Sequence, residues 1–299
     1  MLKHWTTRLE TGPSACFTGP DARPVWSDGD GLFLTQSGSG ATANYQLRFR
    51  EDAVALVCPG TRTLSLHALS PQTTKDTLEH LLHDQLHPRL LAHEGRLVVH
   101  AGAVQIDHHL ALFLGESGMG KSTLAGSFYQ AGTPLLSDDC LVIDATPDGF
   151  AGQPIHRGLR LLPDSLARLF PRTAGTRPMA HYSDKRHLPL AAAEPASRAT
   201  VPIGALFFLA PASGEGLQMR RMSAAETCMG IISNSFSLDP TDSRLARSKL
   251  QQAAALANAV PAFALAYPRD YASLPQVQAR IRAQMAACAS VSLPGPEIP

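Results

Sequence analysis

The chain has 299 residues, 44% of them apolar and 17% charged, so it can bury the core of one large domain or two modest ones. Its formal net charge of +1 excludes a bulk field that would draw in nucleic acid or an anionic membrane, so any anion it takes must be gripped locally. Five cysteines, Cys16, Cys58, Cys140, Cys228 and Cys288, are dispersed without a C-x-x-C pair, which argues against a zinc knuckle or disulfide framework and fits reduced cytosol.

The N-terminal stretch "MLKHWTTRLE" lacks the apolar core of a signal peptide. The first seventy or so residues are rich in Gly, Ser, Thr and Pro, with alternating runs such as "YQLRF" and "AVALV" that predict short strands. Leu78, Leu81, Leu82 and Leu86 then recur at helical spacing. Thr74 or Asp76 can cap this helix and Gly95 stops it, with Pro88 expected to end or kink it. "RLVVHAGAVQI" and "LALFL" read as two strands joined by Asp107-His108-His109. A helix from Lys121 to about Ala131 closes at Gly132, and "TPLLSDD" and "CLVID" are two more strands. Residues 146–200 read as loop-rich and basic. "VPIGALFFLA" returns to strand, and its apolar run is far too short to span a bilayer. Two helices, the strand "VPAFALAY" and a closing helix follow. This order predicts a strand-rich region over 1–95 ending in a helix, an α/β domain over 96–290 and a flexible tail over 291–299, in a cytoplasmic protein.

Between "LALFL" and the next helix lies "GESGMGKST", where Gly115-x-x-x-x-Gly120-Lys121-Ser122 matches the Walker A pattern in full. Its glycines let backbone N–H groups turn inward as a nest for phosphate oxygens, and the following helix presents its positive end to the same anion. The candidate nucleotide-binding residues are therefore Gly115, Glu116, Ser117, Gly118, Met119, Gly120, Lys121, Ser122 and Thr123. Lys121 would place a charge on the outer phosphates, and Ser122 would offer its hydroxyl to Mg²⁺.

Asp138 and Asp139 follow after room for only one helix and one short strand, which sets two carboxylates beside the phosphates. One can hold Mg²⁺ while the other accepts a proton from an attacking hydroxyl. His100 stands on the strand leading toward the same place. Phosphoryl transfer spreads negative charge over the moving group, and Arg157, Arg160, Lys185 and Arg186 are candidate cations for it. His80, His83 and His87 share a helical spacing but have no partner acid or cysteine suited to a metal. No Asn-Lys-x-Asp segment supports a GTPase, and no Leu-Ser-Gly-Gly run supports an ABC-type ATPase. A nucleotide-binding scaffold without chemistry is the rival of a different class, and the aspartate pair argues against it.

"HAGAV", "GESGMGKST" and "LLSDD", in that order, resemble the catalytic domain of the HPr kinase/phosphorylase family, whose layout is shared with phosphoenolpyruvate carboxykinases. The resemblance implies an α/β P-loop kinase domain of that type with a smaller strand-rich N-terminal region, using ATP and Mg²⁺. It implies His100 near the γ-phosphate and metal, Asp138 as the base and Asp139 on the metal side, or the last two reversed. "GLRLLPDSL", "SDKRHLPL" and "LAYPRDYASLP" look like segments of a divergent branch, the kinases of lasso-peptide precursors. That implies a serine kinase acting on a peptide or small protein, with a lasso precursor as partner and an HPr-type carrier as the alternative, and it allows a homo-oligomer. The family's Glu-x-Arg-Gly run is replaced by "PIHRGLR", with Pro154 or Ile155 where the acid would stand, which takes support from phosphorolysis and from HPr as substrate.

Overall fold

The computed structural model describes all residues except Met1, Lys3, 11–20, Asp30, Arg157, Pro189, 191–199, Ser213, Glu215 and 292–299. Cys16, Arg157 and nearly all of the expected tail thus lie outside the described residues. The chain divides into two compact units: Met1–Glu94 with Pro178–Asp184 and Ser237–Ala246, and Gly95–Arg177 with Lys185–Phe236 and Arg247–Pro299.

Among the described residues the first unit is built on six strands: β1 (Thr6–Glu10), β2 (Arg23–Ser27), β3 (Leu32–Ser37), β4 (Asn44–Phe49), β5 (Ala53–Cys58) and β6 (Thr63–Ala68). They are ordered β1-β6-β5-β4-β3-β2, with β1 parallel to β6 and the other pairs antiparallel. Alternation in "LFLTQS" and "NYQLRF" turns Leu32, Leu34, Tyr45, Leu47 and Phe49 to one face. Leu78, Leu81, Leu82, Leu86 and Leu90 cover that face. Thr74 caps the helix by accepting from the Thr77 N–H. Pro88 does not end it. The helix runs as α1 (Lys75–His80), a π turn (Leu81–Leu86) and α2 (His87–His93), with the His87 N–H reaching back to Leu82 O. The wider turn accommodates a ring that an α-helical turn would clash with. His80 is bound by the buried Asp84 at 2.6 Å, and the His83 and His87 rings pack edge to face.

In the second unit the strands are β7 (Leu97–His100), β8 (Gly102–Ile106), β9 (His109–Leu114), β10 (Leu135–Ser137), β11 (Cys140–Thr146), β12 (Gly149–Pro154), β13 (Leu159–Leu161), β15 (Ser183–Leu188), β16 (Val201–Ala210), β17 (Gln218–Arg221) and β18 (Ala262–Ala266). β14 (Arg177–Ala180), nearly all of it in the first unit, completes the numbering in chain order among the described residues. The large sheet runs β10-β8-β9-β16-β12-β11-β7, and β18 pairs with β16 and β17. Helices cover both faces. On one, α3 (Lys121–Gln130) and α7 (Leu274–Val291) bring Leu124, Phe128, Val277 and Ile281 against Phe113, Phe207 and Phe263. On the other, α5 (Ala224–Ser233) and α6 (Ser243–Ala259) bring Ile231, Ala253 and Leu256 against Leu112, Leu114 and Leu206. A strand covered on both faces reads as a continuous apolar run, which is what "IGALFFLA" is. This is a mixed α/β unit.

Two expectations change. "RLVVHAGAVQI" is not one strand: β7 joins β11, with His100 opposite Cys140, while β8 joins β9 and β10. The crossing falls at Ala101, whose N–H is taken by Asp139 O. At Gly102 an added Cβ would stand 3.4 Å from Ala125 Cβ and 3.5 Å from Lys121 O, ordinary van der Waals contact, so α3 lies directly against the strand there. The segment read as loop-rich also carries regular structure, including β12, the β13–β15 pair and α4 (Pro163–Leu169). A three-residue strand such as β13 is too short to show a period.

Candidate active site

Three strands, β9, β16 and β18, run parallel, so their carboxyl ends share one edge of the sheet, the usual place for a ligand crevice. The glycine loop leaves β9 at that edge. Gly115 has φ +141°, and a Cβ there would lie 2.9 Å from Leu209 O, so only glycine fits. Its N–H donates to Asn234 Oδ1 at 3.1 Å. Glu116, Ser117 and Gly118 are exposed, and no side chain caps α3, whose first-turn N–H groups follow directly from the loop. Lys121 is buried, with Nζ donating to Gly115 O at 2.6 Å and Glu116 O at 3.0 Å. Burial pushes its ammonium down to about 8; the nearby Lys185 adds to this, and Asp139 opposes it. Ser122 is half-buried. The Thr123 hydroxyl is engaged elsewhere, 3.0 Å from Ser165 Oγ, in a chain that continues to Tyr271 and Asp164.

Asp138 and Asp139 occupy the two-residue turn between β10 and β11 and have different surroundings. Asp138, its side chain 2% exposed, accepts the Arg160 N–H at 2.6 Å, and its other oxygen lies 3.7 Å from the Arg160 guanidinium. It ties β13 to the turn. Asp139, 16% exposed, faces His100, with Oδ1 3.0 Å from Nδ1. Its Oδ2 lies 3.3 Å from Arg160 Nη1 and accepts from the Cys140 thiol at 3.2 Å. Burial works against its charge. The hydrogen bond and charge of His100, then Arg160 and Cys140, outweigh that and hold the carboxyl well below the ordinary carboxylate range. His100, Asp139 and Cys140 are the one group among the described residues whose atoms sit close enough to share a metal, all within 4.8 Å of one another.

The structure thus brings together Lys121, Asp139, His100 and Arg160, with Lys185 near enough to act on Lys121. Arg160 is buried between both carboxylates rather than extended toward the loop, because two negative charges flank its guanidinium. Arg186 is spent on Thr176, donating from Nε to Oγ1 at 2.8 Å and from Nη2 to the carbonyl at 2.9 Å.

Two residues were missed. Asn234, at the end of α5, accepts the His100 N–H on its carbonyl and the Gly115 N–H on its side chain, joining the histidine strand to the loop. Arg269, in the turn after β18, donates to Gly118 O at 2.9 Å and touches Met119 Sδ. "AYPRD" held the only signal for Arg269, and nothing local singles out Asn234.

No family model matches the chain, and no curated protein does. Solved structures that match include the HPr(Ser) kinase/phosphatase from Coxiella burnetii, 12% identical over 64% of this chain and 97% of that one, with a TM-score of 0.33.

Proposed function

We propose that the protein is an ATP- and Mg²⁺-dependent serine kinase of the cytoplasm whose acceptor is a peptide or small protein, a lasso-peptide precursor by the segments quoted above. The observation that carries this reading is the convergence of the loop lysine and the acid–histidine pair: Asp139 O accepts the Ala101 N–H, and at the next residue, Gly102, a Cβ would stand 3.5 Å from Lys121 O. The glycine cradle, open at Gly118 where an added Cβ would meet nothing within 4 Å, fits a phosphate tail. A hydroxyl at Ser122 and an ionised carboxylate at Asp139 are hard donors of the kind Mg²⁺ takes, and these two would hold it. Bound there, the ion would neutralise charge on the phosphates.

Lys121 and the first N–H groups of α3 bind and orient the tail. The different surroundings of the two aspartates favour giving the proton to the Asp139 side rather than to Asp138. With Asp139 ionised, His100 carries its proton on Nδ1, and Nε2 is the atom that takes the proton of the acceptor hydroxyl; Asp139 steadies the resulting imidazolium. Asp138 keeps Arg160 and β13 in place.

The test is incubation of the purified chain with ATP, Mg²⁺ and either a lasso precursor ending in Ser or an HPr-type carrier, followed by mass spectrometry. A phosphate on the precursor serine is expected, and transfer only to the carrier would move the reading to a carrier kinase. His100→Ala should lose roughly 10²–10⁴-fold in transfer with nucleotide binding largely kept, and Asp139→Asn should lose as much together with affinity for the Mg²⁺-bound nucleotide. Undiminished transfer by both variants would overturn the assignment of the base.

A further inference from the structure

We infer that Arg269 is a second cation for the phosphate tail of the nucleotide, resting on the loop's own backbone until the nucleotide arrives. The inference rests on the proposed nucleotide site and assigns it a contact that neither the Walker A pattern nor the aspartate pair contains.

Two cations sit on the carbonyls of one six-residue loop. Lys121 Nζ takes Gly115 O and Glu116 O from the helix side, and the Arg269 guanidinium takes Gly118 O. The two grip different points, and the stretch between them is exposed. Arg269 is exposed as well, while the chain that carries it is fixed. Tyr267, just before it, is buried, with its hydroxyl 3.7 Å from where a Cβ on Gly120 would stand. Pro268 restricts the backbone, Ser273 Oγ donates to Pro268 O at 2.9 Å, and the Ser273 N–H donates to Asp270 Oδ1 at 2.6 Å. A fixed backbone with an exposed guanidinium at the mouth of an anion cradle is a pre-placed fork. A neutral carbonyl is a weaker partner for it than a phosphate oxygen, whose charge strengthens the hydrogen bond, and the planar fork can take two such oxygens at once. Arrival of the tail would therefore exchange Gly118 O for phosphate oxygens. Because the turn does not have to move, little ordering opposes the exchange.

The test is isothermal titration of the full-length protein with ATP, ADP and AMP in Mg²⁺, comparing wild type with Arg269→Ala, Arg269→Lys and Lys121→Ala. Arg269→Ala should weaken ATP about ten- to a hundredfold and leave AMP unchanged, the scale of charge-assisted hydrogen bonds. Arg269→Lys should recover part of the loss. If Arg269→Ala binds ATP like wild type while Lys121→Ala does not, the inference fails and the nucleotide site stands. If AMP weakens as much as ATP, Arg269 contacts the base, the sugar or the first phosphate rather than the outer phosphates, and the inference fails. If Lys121→Ala also binds ATP like wild type, the nucleotide site falls and the inference with it.

Discussion

Gly115 and Gly118 belong to one motif, yet the same substitution should cost very different amounts at the two. At Gly118, φ is +77° and nothing lies within 4 Å of an added Cβ. Gly118→Ala therefore meets only the left-handed backbone penalty, about 1–2 kcal/mol. At Gly115, φ is +141° and the Cβ would stand 2.9 Å from Leu209 O and 3.4 Å from Leu209 Cβ. Leu209 lies in β16, paired with Leu265 of β18, and the strand cannot withdraw without disturbing that ladder. Backbone strain of about 1–3 kcal/mol and overpacking of about 1–3 kcal/mol add to about 2–6 kcal/mol for Gly115→Ala. In a unit of this size each kcal/mol lowers the melting temperature by about 2–4 °C. Urea and thermal unfolding of both variants, followed by circular dichroism, reads the difference. If Gly115→Ala loses no more stability than Gly118→Ala, the contact with β16 does not shape the loop and the account of that glycine is wrong.

Other consequences follow from burial and charge. Burial pushes the Lys121 ammonium down to about 8, so affinity at the proposed nucleotide site should fall as pH rises through that value, and Lys121→Arg should flatten the profile in a titration from pH 7 to 9.5. The stability contribution has the opposite sign. The unfolded lysine holds its proton to about 10.5, so between about 8 and 10.5 the unfolded chain binds more protons and this contribution rises with pH, measurable against Lys121→Met. Phe113 is fully buried beside Phe128 and Phe207, and Phe113→Ala should cost about 3–5 kcal/mol in urea unfolding. The Arg96–Asp144 pair is as short as 2.6 Å but about a third exposed on each side, so Arg96→Ala should cost under about 1 kcal/mol, and a larger loss would mean that screening by water had been overstated.

What the sequence made legible was the local part of the fold. The loop between β9 and α3, the Gly132 stop and the leucine stripe from Leu78 to Leu86 each depend on spacing that a few consecutive residues display. The π turn ahead of Pro88 was hidden because the leucine pattern tolerates one extra residue per turn. The break at Ala101 was hidden because both halves of the run are apolar, and only pairing with different strands separates them. The two aspartates read alike as letters; their difference comes from Arg160 and His100, which reach them from other strands. Asn234 acts through an amide that no motif marks. Apart from the π turn, the deciding partner lies far along the chain, where period and composition carry no information.

The loop is finished by residues synthesised long after it. The Gly115 N–H waits for Asn234, 119 positions later, and Gly118 O for Arg269, 151 positions later. On a ribosome, the glycine segment therefore emerges well before the groups that pin it. A nascent chain interrupted before β18 would display the consensus letters without the residue that holds Gly118, so the local pattern of the loop exists long before its geometry is fixed.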